Sequence, residues 1–371
     1  MNKAANHIAI ISTRLDLPGG IERITTELAG LLVSKGHNVS LIVADSNTGN
    51  NCFYNLNSNV RLLHLNSNFG ITDSGTIVSR KFRLIKDTIQ LKRLIRPLKT
   101  DIIITTEYHL SIVAVLAGLG KSSKLFSWEH HHYYSLKKNI FWKSLFNYAY
   151  PKLHTIVCLN AEESELFSKW NPHCVTIPNF TLAKTNQHGF NSHNTPFTIL
   201  TIGHLNYTKG TDRLLLIAKK LLAQKPEIKW IIVGDGEMEI NALIFIKENN
   251  LQDRIELMNA SSNDVSGYYK AASIYVLTSR SECFPLTLLE AMQSGVPCIA
   301  YDCDTGPRYI IVNNENGLLI KNGDDNAMVN AILDLYQNEE KRKRMAERAL
   351  AEATKYNPDK IYPLWEKLFN H

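Results

Sequence analysis

Ser281-Glu282-Cys283-Phe284-Pro285-Leu286-Thr287-Leu288-Leu289-Glu290-Ala291-Met292, followed shortly by Gly295-Val296-Pro297-Cys298-Ile299-Ala300, reads as a loop, an apolar helix and a buried strand in succession. Proline suits the first position of a helix, where its missing N–H would be unpaired anyway, so the helix is expected to begin near Phe284–Pro285. Gly295 ends it, and a short strand follows at Pro297–Ala300. With the strand-like run Ser273–Leu277 ahead of it, the segment makes a β-α-β unit, the element of a parallel sheet. Glu282 in the loop and Glu290 on the helix stand eight positions apart, which lets both carboxylates address one ligand at the helix end. The free N–H groups of that end form an anion seat. Among Leu286, Leu289, Met292 and Val296, the charge of Glu290 is costly without partners, and ligand hydroxyls would serve. Two unrelated glutamates on a surface helix is the alternative reading. The polar loop Asp302-Cys303-Asp304-Thr305-Gly306-Pro307-Arg308 comes next, at the carboxyl end of a strand, where open α/β sheets bind ligands.

The same alternation extends in both directions. Strands are expected at His7–Ile11, Val39–Val43, Val60–Leu65, Asp101–Thr105, Lys124–Trp128, His154–Leu159 and Val175–Ile177, then at Thr198–Ile202, Lys229–Val233 and Arg254–Met258. The clearest helices between them are Ile21–Lys35, Asp212–Ala223, Glu237–Asn249 and Ala327–Gln337. Phe180–Pro196 is rich in Asn, Thr, Ser, His and Gly and has no apolar period, as in a linker. The expected organisation is an α/β protein of two domains, residues 1–190 and 191–357, facing each other across a cleft. An aromatic helix, 358–371, could cap either domain, with packing back on the first as one of the two expectations.

The chain has 371 residues, 44% of them apolar, enough for two cores. No apolar run reaches the ~18 residues of a membrane span, and the short run Ile8–Ile11 is no secretory segment. A cytosolic protein is expected. Six cysteines are scattered without a C-x-x-C pair, which argues against a zinc site or a disulfide framework. Residues 1–190 hold 21 Lys and Arg against 12 Asp and Glu, a net of +9, and the rest of the chain carries −3. Such asymmetry points to an anionic surface or substrate for the first domain.

Taken in order, several segments make the chain resemble the retaining family-four glycosyltransferases of the GT-B fold, in particular their capsule, O-antigen and lipopolysaccharide branch. Gly19-Gly20-Ile21-Glu22-Arg23 matches the family's glycine-rich turn, and Ile177-Pro178-Asn179 the end of its first domain. Gly203-His204-Leu205 with Lys209-Gly210-Thr211-Asp212 matches its donor-phosphate segment, and Val233-Gly234-Asp235-Gly236 the next strand end. Glu282 to Glu290 with Gly295-Val296-Pro297 matches the paired-glutamate signature, and the Asp302–Arg308 loop resembles that branch.

The resemblance implies two Rossmann-like parallel-sheet domains and a UDP-sugar donor held mainly by the second. It implies Lys209 and His204 against the diphosphate, and Gly19 and Gly20 approaching phosphate or sugar. Glu290 would bind ribose hydroxyls, and Glu282 the transferred sugar, near the backbone at Phe284, Leu286 and Thr287. His130, in Glu129-His130-His131-His132, would stand beside the sugar being transferred. A lysine at a helix start opposes the helix dipole, which favours a functional Lys209 over a merely solvated one. The histidine triplet invites a metal reading, but adjacent side chains point in different directions, and neither metal nor cofactor is expected. Glu107 and His109 are weaker candidates, read as simply exposed in the alternative. Three departures from the family pattern, His204 for Arg, Cys283 for Gly and Tyr309 for Glu, leave the identity of the sugar open.

The acceptor is expected to be a lipid-linked saccharide or growing polysaccharide bound by the basic half. The run Arg80-Lys81-Phe82-Arg83-Leu84-Ile85-Lys86, continuing through Lys92-Arg93-Leu94-Ile95-Arg96-Pro97-Leu98-Lys99, reads as a basic amphipathic helix. Leu136–Pro151 mixes Lys137, Lys138 and Lys143 with Phe141, Trp142, Phe146, Tyr148 and Tyr150. Both suit an anionic membrane surface, placing the protein at the inner face of the cell membrane. An ordinary Rossmann helix with a basic face is the alternative. Another GT-B reaction such as UDP-sugar epimerisation, or a non-catalytic subunit of a polysaccharide assembly complex, stays open. No recognition motif supports nucleic-acid binding, and Gly19-Gly20 does not supply the G-x-G-x-x-G of a nicotinamide enzyme.

Overall fold

Runs of β-branched residues, such as Ile8-Ala9-Ile10-Ile11 and Ile102-Ile103-Ile104, form the most deeply buried strands, because a parallel strand covered on both faces carries no polar alternation. The structure, a computed structural model, describes residues 5–45, 52–67, 77–136, 139–182, 196–259 and 265–370. It divides into two compact units, Met1–Asn179 with Ile361–His371, and Phe180–Lys360. Most of the expected linker lies outside the described residues.

The N-terminal unit holds seven strands: β1 (His7–Ser12), β2 (Asn38–Asp45), β3 (Arg61–Ser67), β4 (Ile102–Thr105), β5 (Lys124–Glu129), β6 (Thr155–Cys158) and β7 (Cys174–Thr176). Their order across the sheet is β3-β2-β1-β4-β5-β6-β7, and every pairing is parallel. The C-terminal unit holds β8 (Thr198–Ile202), β9 (Lys229–Val233), β10 (Ile255–Met258), β11 (Ile274–Leu277), β12 (Cys298–Asp302) and β13 (Gly317–Lys321). These run β10-β9-β8-β11-β12-β13, again all parallel. Each sheet thus reverses its order once, between β1 and β4 and between β8 and β11. A crevice opens at the carboxyl ends of the strands at such a point.

Amphipathic helices cover the sheets. Helix Gly20–Ser34 buries Ile24, Leu28, Leu31 and Leu32, and helix Thr211–Gln224 buries Leu214, Leu215, Ala218, Leu221 and Leu222, each a single helical stripe. Helix Pro358–Asn370 supplies Trp365, fully buried and edge-on to Trp128 at 5.3 Å, and Phe369, stacked on Phe126 at 6.3 Å. The Lys124 ammonium donates to the Phe369 carbonyl at 2.9 Å at the end of that helix.

Two expectations need correction. The sheet of the C-terminal unit does not end with β12, because Gly317-Leu318-Leu319-Ile320-Lys321 adds an edge strand. The signature helix runs Leu286–Gln293, with Pro285 outside it as an extended N-cap residue (φ −72°, ψ 109°).

Candidate functional site

In the C-terminal unit the loops leaving β8 and β11 meet at the switch point. The β8 loop ends at Gly210, whose left-handed backbone (φ +72°) starts helix Thr211–Gln224. A side-chain carbon at Gly210 would come 2.1 Å from the Thr278 carbonyl oxygen, so only glycine lets this loop lie against the end of β11. The Thr278 hydroxyl reaches the Lys209 and Gly210 carbonyls, each at 3.2 Å. The Lys209 N–H donates to Asn206 Oδ1 at 2.8 Å.

The loop so fixed aims Lys209 at Glu282. Lys209 Nζ donates to both carboxylate oxygens, at 2.8 and 2.9 Å. The Glu282 side chain is only 8% exposed, while that of Lys209 keeps 35%. The Ser279 hydroxyl donates to Glu282 Oε1 at 2.7 Å, and the Thr305 hydroxyl to the Glu282 carbonyl at 2.8 Å. Gly306 (φ +37°) brings the loop after β12 so close that a side-chain carbon there would lie 2.8 Å from Glu282 Cβ.

A second ion pair holds the same loop from outside. The Arg280 guanidinium forks onto Asp212 with two bonds of 2.7 Å, donates to the Tyr207 carbonyl at 2.7 Å and lies over the Tyr207 ring at 3.7 Å. The hydrogen bonds that Arg280 donates hold the Asp212 carboxyl below its usual range, and the same bonds raise Arg280 in turn.

Glu290 lies one helical stretch further in and is 2% exposed. The Tyr269 hydroxyl stands 2.9 Å from its Oε2 and 3.1 Å from the Thr287 carbonyl. The Thr287 hydroxyl is held by Tyr275 at 2.8 Å. The first bond of the helix runs from Leu289 N–H to the Pro285 carbonyl, which leaves Leu286, Thr287 and Leu288 with the unpaired-donor positions of a helix start. The side chains of Phe284 and Leu286 are themselves buried, with Phe284 against Tyr356 at 5.4 Å, so these residues can offer a ligand only their backbone. His204 is partly exposed, its Nδ1 3.2 Å from Asp235 Oδ1.

The fold therefore brings Lys209 and Glu282 into contact and sets Glu290 and the helix start beside them on the same segment. Sequence reasoning missed Tyr269, Ser279 and Arg280, and named Thr305 only as part of the Asp302–Arg308 loop. All four act through tertiary neighbours; Thr305 carried the signal of its loop, and Ser279 and Arg280 that of lying close to Glu282 in the chain.

In the N-terminal unit, Gly19 is the extended N-cap of helix Gly20–Ser34. A side-chain carbon at Gly19 would meet Glu22 Oε2 at 1.9 Å, so the Glu22 carboxylate folds over the start of its own helix. An acid in the first turn beside a Gly cap is the signal that would have found it. His130, just beyond β5, is 9% exposed and lies 4.2 Å from the Trp128 ring. Its Nε2 is buried with no hydrogen-bond partner among the described residues. Burial, followed by the neighbouring His131, pushes its imidazole down to about 3, so it is neutral at ordinary pH.

The three histidines diverge, since His131 is exposed and His132 is buried on Glu163 through Nδ1. Among the described residues, no three His, Cys, Asp or Glu side chains are grouped as a metal site. All six cysteines are free thiols, four of them buried. Glu107 and His109 are not simply exposed. Both are partly buried, Glu107 with Thr13 and His109 against Tyr108 and Trp142 at 3.5 and 4.7 Å.

The family model for Glycosyltransferase Family 4 matches residues 18–181, and that for Glycosyl transferases group 1 matches residues 183–351. A protein of Haemophilus influenzae named as an uncharacterized glycosyltransferase is 29% identical over 353 residues, 94% of this chain and 95% of its own. A Campylobacter jejuni enzyme, named GalNAc-alpha-(1->4)-GalNAc-alpha-(1->3)-diNAcBac-PP-undecaprenol alpha-1,4-N-acetyl-D-galactosaminyltransferase, is 25% identical over 354 residues, 94% of each chain. Among solved structures, S. aureus TarM in complex with fondaparinux, alpha-GlcNAc-glycerol and UDP has a TM-score of 0.79 at 15% identity, covering 99% of this chain and 100% of that one. The fold is GT-B, with two Rossmann-like parallel-sheet units.

Proposed function

Taking as premise that the chain belongs to the glycosyltransferases described by these two family models, we propose that it transfers one sugar, with retention of configuration, from a UDP-sugar to a lipid-linked or polysaccharide acceptor in bacterial surface glycan assembly. The observation that carries this reading is the meeting of Lys209, Glu282, Glu290 and an open helix start at the β8–β11 switch point. A cation and backbone donors at one spot suit a diphosphate, whose charge grows as the glycosidic bond breaks.

In this reading Lys209 takes the diphosphate, with His204 as a further donor. The backbone at Leu286 and Thr287 faces the donor, and Phe284 packs the loop. Glu290, held by Tyr269, accepts from the ribose hydroxyls, and Glu282 from the transferred sugar. The N-terminal unit contributes Gly19, Gly20 and His130, the last as a neutral hydrogen-bonding imidazole. As the bond from the sugar carbon to the diphosphate breaks, its electron pair leaves with UDP. The acceptor oxygen bonds to that carbon on the same face, and its proton passes to the departing diphosphate. The sugar is a hexose or N-acetylhexosamine, and no metal is required by this route.

The acceptor side is proposed to lie against an anionic membrane. Helix Ile77–Ile95 exposes Phe82 (70%), Ile85 (56%) and Ile89 (45%), with Lys86, Lys92 and Arg93 exposed around them. Ile140 is 90% exposed nearby in sequence to Tyr134 and Tyr148. An apolar stripe with a basic border suits an interface of anionic headgroups. Phe146 and Tyr150 take no part in it, because both are buried in the core. Lys137 and Lys138 lie outside the described residues, as do the side chains of Arg80 and Lys81. Among the described residues, no helix is long and apolar enough to cross a membrane.

Calorimetric titration with UDP tests the donor site. The wild-type protein is expected to bind, and Lys209→Ala and Glu290→Ala to bind at least tenfold more weakly. Unchanged binding in both variants would sink the assignment. Release of UDP from UDP-sugar only when acceptor is added separates transfer from epimerisation.

A further inference from the structure

Helix Glu239–Glu248, which follows β9 in the C-terminal unit, carries apolar residues on two opposite faces. Ala242 and Ile246, one turn apart, are buried in the core that holds Trp230 and Ile255, and Phe245 is partly buried beside them. An ordinary surface helix carries polar residues on its other side. Here that side presents Ile240, Leu243 and Ile244, exposed by 71%, 50% and 49%. Their spacing sets them in one stripe, which the exposed Lys247 continues. Leu216, on the neighbouring helix Thr211–Gln224, is exposed as well. Single exposed apolar side chains are ordinary on a protein surface, whereas several along one helix face mark a surface of contact.

The charges bordering the stripe decide what can cover it. Glu237 and Glu248 are exposed and Glu239 is partly so, against Lys247 as the one cation of the helix. An anionic membrane repels a border with that balance, in contrast to the basic border of helix Ile77–Ile95. A second copy of the same helix is not repelled. When two copies run antiparallel about a twofold axis at Leu243, that residue meets its own symmetry mate, and residues equally spaced on either side of it come level. Glu239 and Lys247, each four residues from Leu243, are such a pair. The ammonium of each copy then reaches the carboxylate of the other. The N-terminus of each helix also lies against the C-terminus of its mate, which the helix dipoles favour. A parallel arrangement would instead bring Glu239 level with Glu239 and Lys247 with Lys247.

We propose that this helix face is a self-association surface, on which two copies of the chain pack as an antiparallel twofold dimer through Ile240, Leu243 and Ile244, bridged by Glu239 and Lys247. A helix of 10 residues is about 15 Å long, so its face falls short of the roughly 800 Å² per partner that a standard stable interface buries. The dimer is therefore weak, with a Kd on the order of 10–100 µM. The donor site has no part in this face, so the two readings stand or fall separately.

Sedimentation equilibrium of the full chain, carried up to about 200 µM, tests the dimer. The wild-type protein is expected to pass from monomer to dimer within that range. Leu243→Glu sets two carboxylates against each other across the axis and is expected to weaken association tenfold or more. Glu239→Lys and Lys247→Glu are each expected to weaken it about three- to tenfold, and the two reversals combined in one chain to restore it. A cooperative urea transition shows that each variant is folded. A wild-type protein that stays monomeric, a dimer indifferent to Leu243→Glu, or a double reversal no better than the single ones overturns the proposal. So does binding to phosphatidylglycerol vesicles that Leu243→Glu abolishes while association is unchanged, which would make the stripe a lipid surface.

Discussion

Lys209 and Glu282 form a two-pronged ion pair, with Nζ 2.8 and 2.9 Å from the two carboxylate oxygens, so the cation proposed to take the diphosphate is already engaged. On the proposed reading, donor binding exchanges one anion for another. Glu282→Gln is expected to free Lys209 and to tighten UDP alone about tenfold or more, as a charged hydrogen bond of about 1.5–3 kcal/mol is no longer displaced. Turnover of the UDP-sugar is expected to fall at the same time. Looser UDP binding in Glu282→Gln, measured by calorimetry, would show that the pair does not compete with the donor.

Tyr269→Phe removes the hydroxyl that holds Glu290 at 2.9 Å. A bond to a charged group contributes about 1.5–3 kcal/mol, so UDP affinity is expected to drop roughly tenfold. Pyrophosphate has no ribose, and its affinity should be unchanged. A parallel loss for both ligands would mean that Tyr269 supports the whole helix start instead of Glu290.

Gly210→Ala meets two obstacles, a left-handed backbone and the Thr278 carbonyl at 2.1 Å. The expected loss of stability is about 1–3 kcal/mol, read from urea midpoints. UDP affinity should fall with it, because Lys209 is the preceding residue. A variant as stable as the wild type would contradict the close approach of the two loops.

His130 makes a prediction about acid. Unfolded, its imidazole takes up a proton near its ordinary 6.5, whereas burial holds it down to about 3 in the folded protein. Between those values the unfolded state binds the extra proton, so this contribution is complete above pH 6.5 and is lost as pH falls toward 3. The slope is at most about 1.4 kcal/mol per pH unit. His37 and His154, also lowered by burial, act with the same sign, so the comparison must be with His130→Asn. The stability difference between wild type and variant should shift against the wild type by about 1–3 kcal/mol between roughly pH 7 and 4.5. A constant difference would place the proton on His130 in the folded state.

What the sequence disclosed follows from how local the cause is. Central strands such as β1, β4 and β8 are legible because burial on both faces imposes an unbroken apolar run. The edge strand Gly317–Lys321 was overlooked, since only one side pairs and burial fades along it to an exposed Lys321. Glu282 and Glu290 were legible as a spacing, and Lys209 as a charge in the wrong place for a helix start. Tyr269 was not, because it lies on another helix and acts only through the folded chain. Phe146 and Tyr150 were misjudged for the same reason. Aromatics alternating with lysines look alike in sequence whether they face a core or a surface, and here Phe146 stacks on Tyr150 at 3.5 Å within the core.

Helix Pro358–Asn370 has a consequence for how the polypeptide matures. The ribosome delivers Trp128 and Phe126 early, but the rings that cover them, Trp365 and Phe369, arrive only after the entire C-terminal unit has been made. The first unit to be synthesised is therefore the last to be completed, in contrast to the N-terminal-first order in which domains generally fold during synthesis. Residues 1–179 released alone would carry an uncovered tryptophan face, a target for chaperones and proteases. Quality control would then sense a chain truncated anywhere before its closing helix.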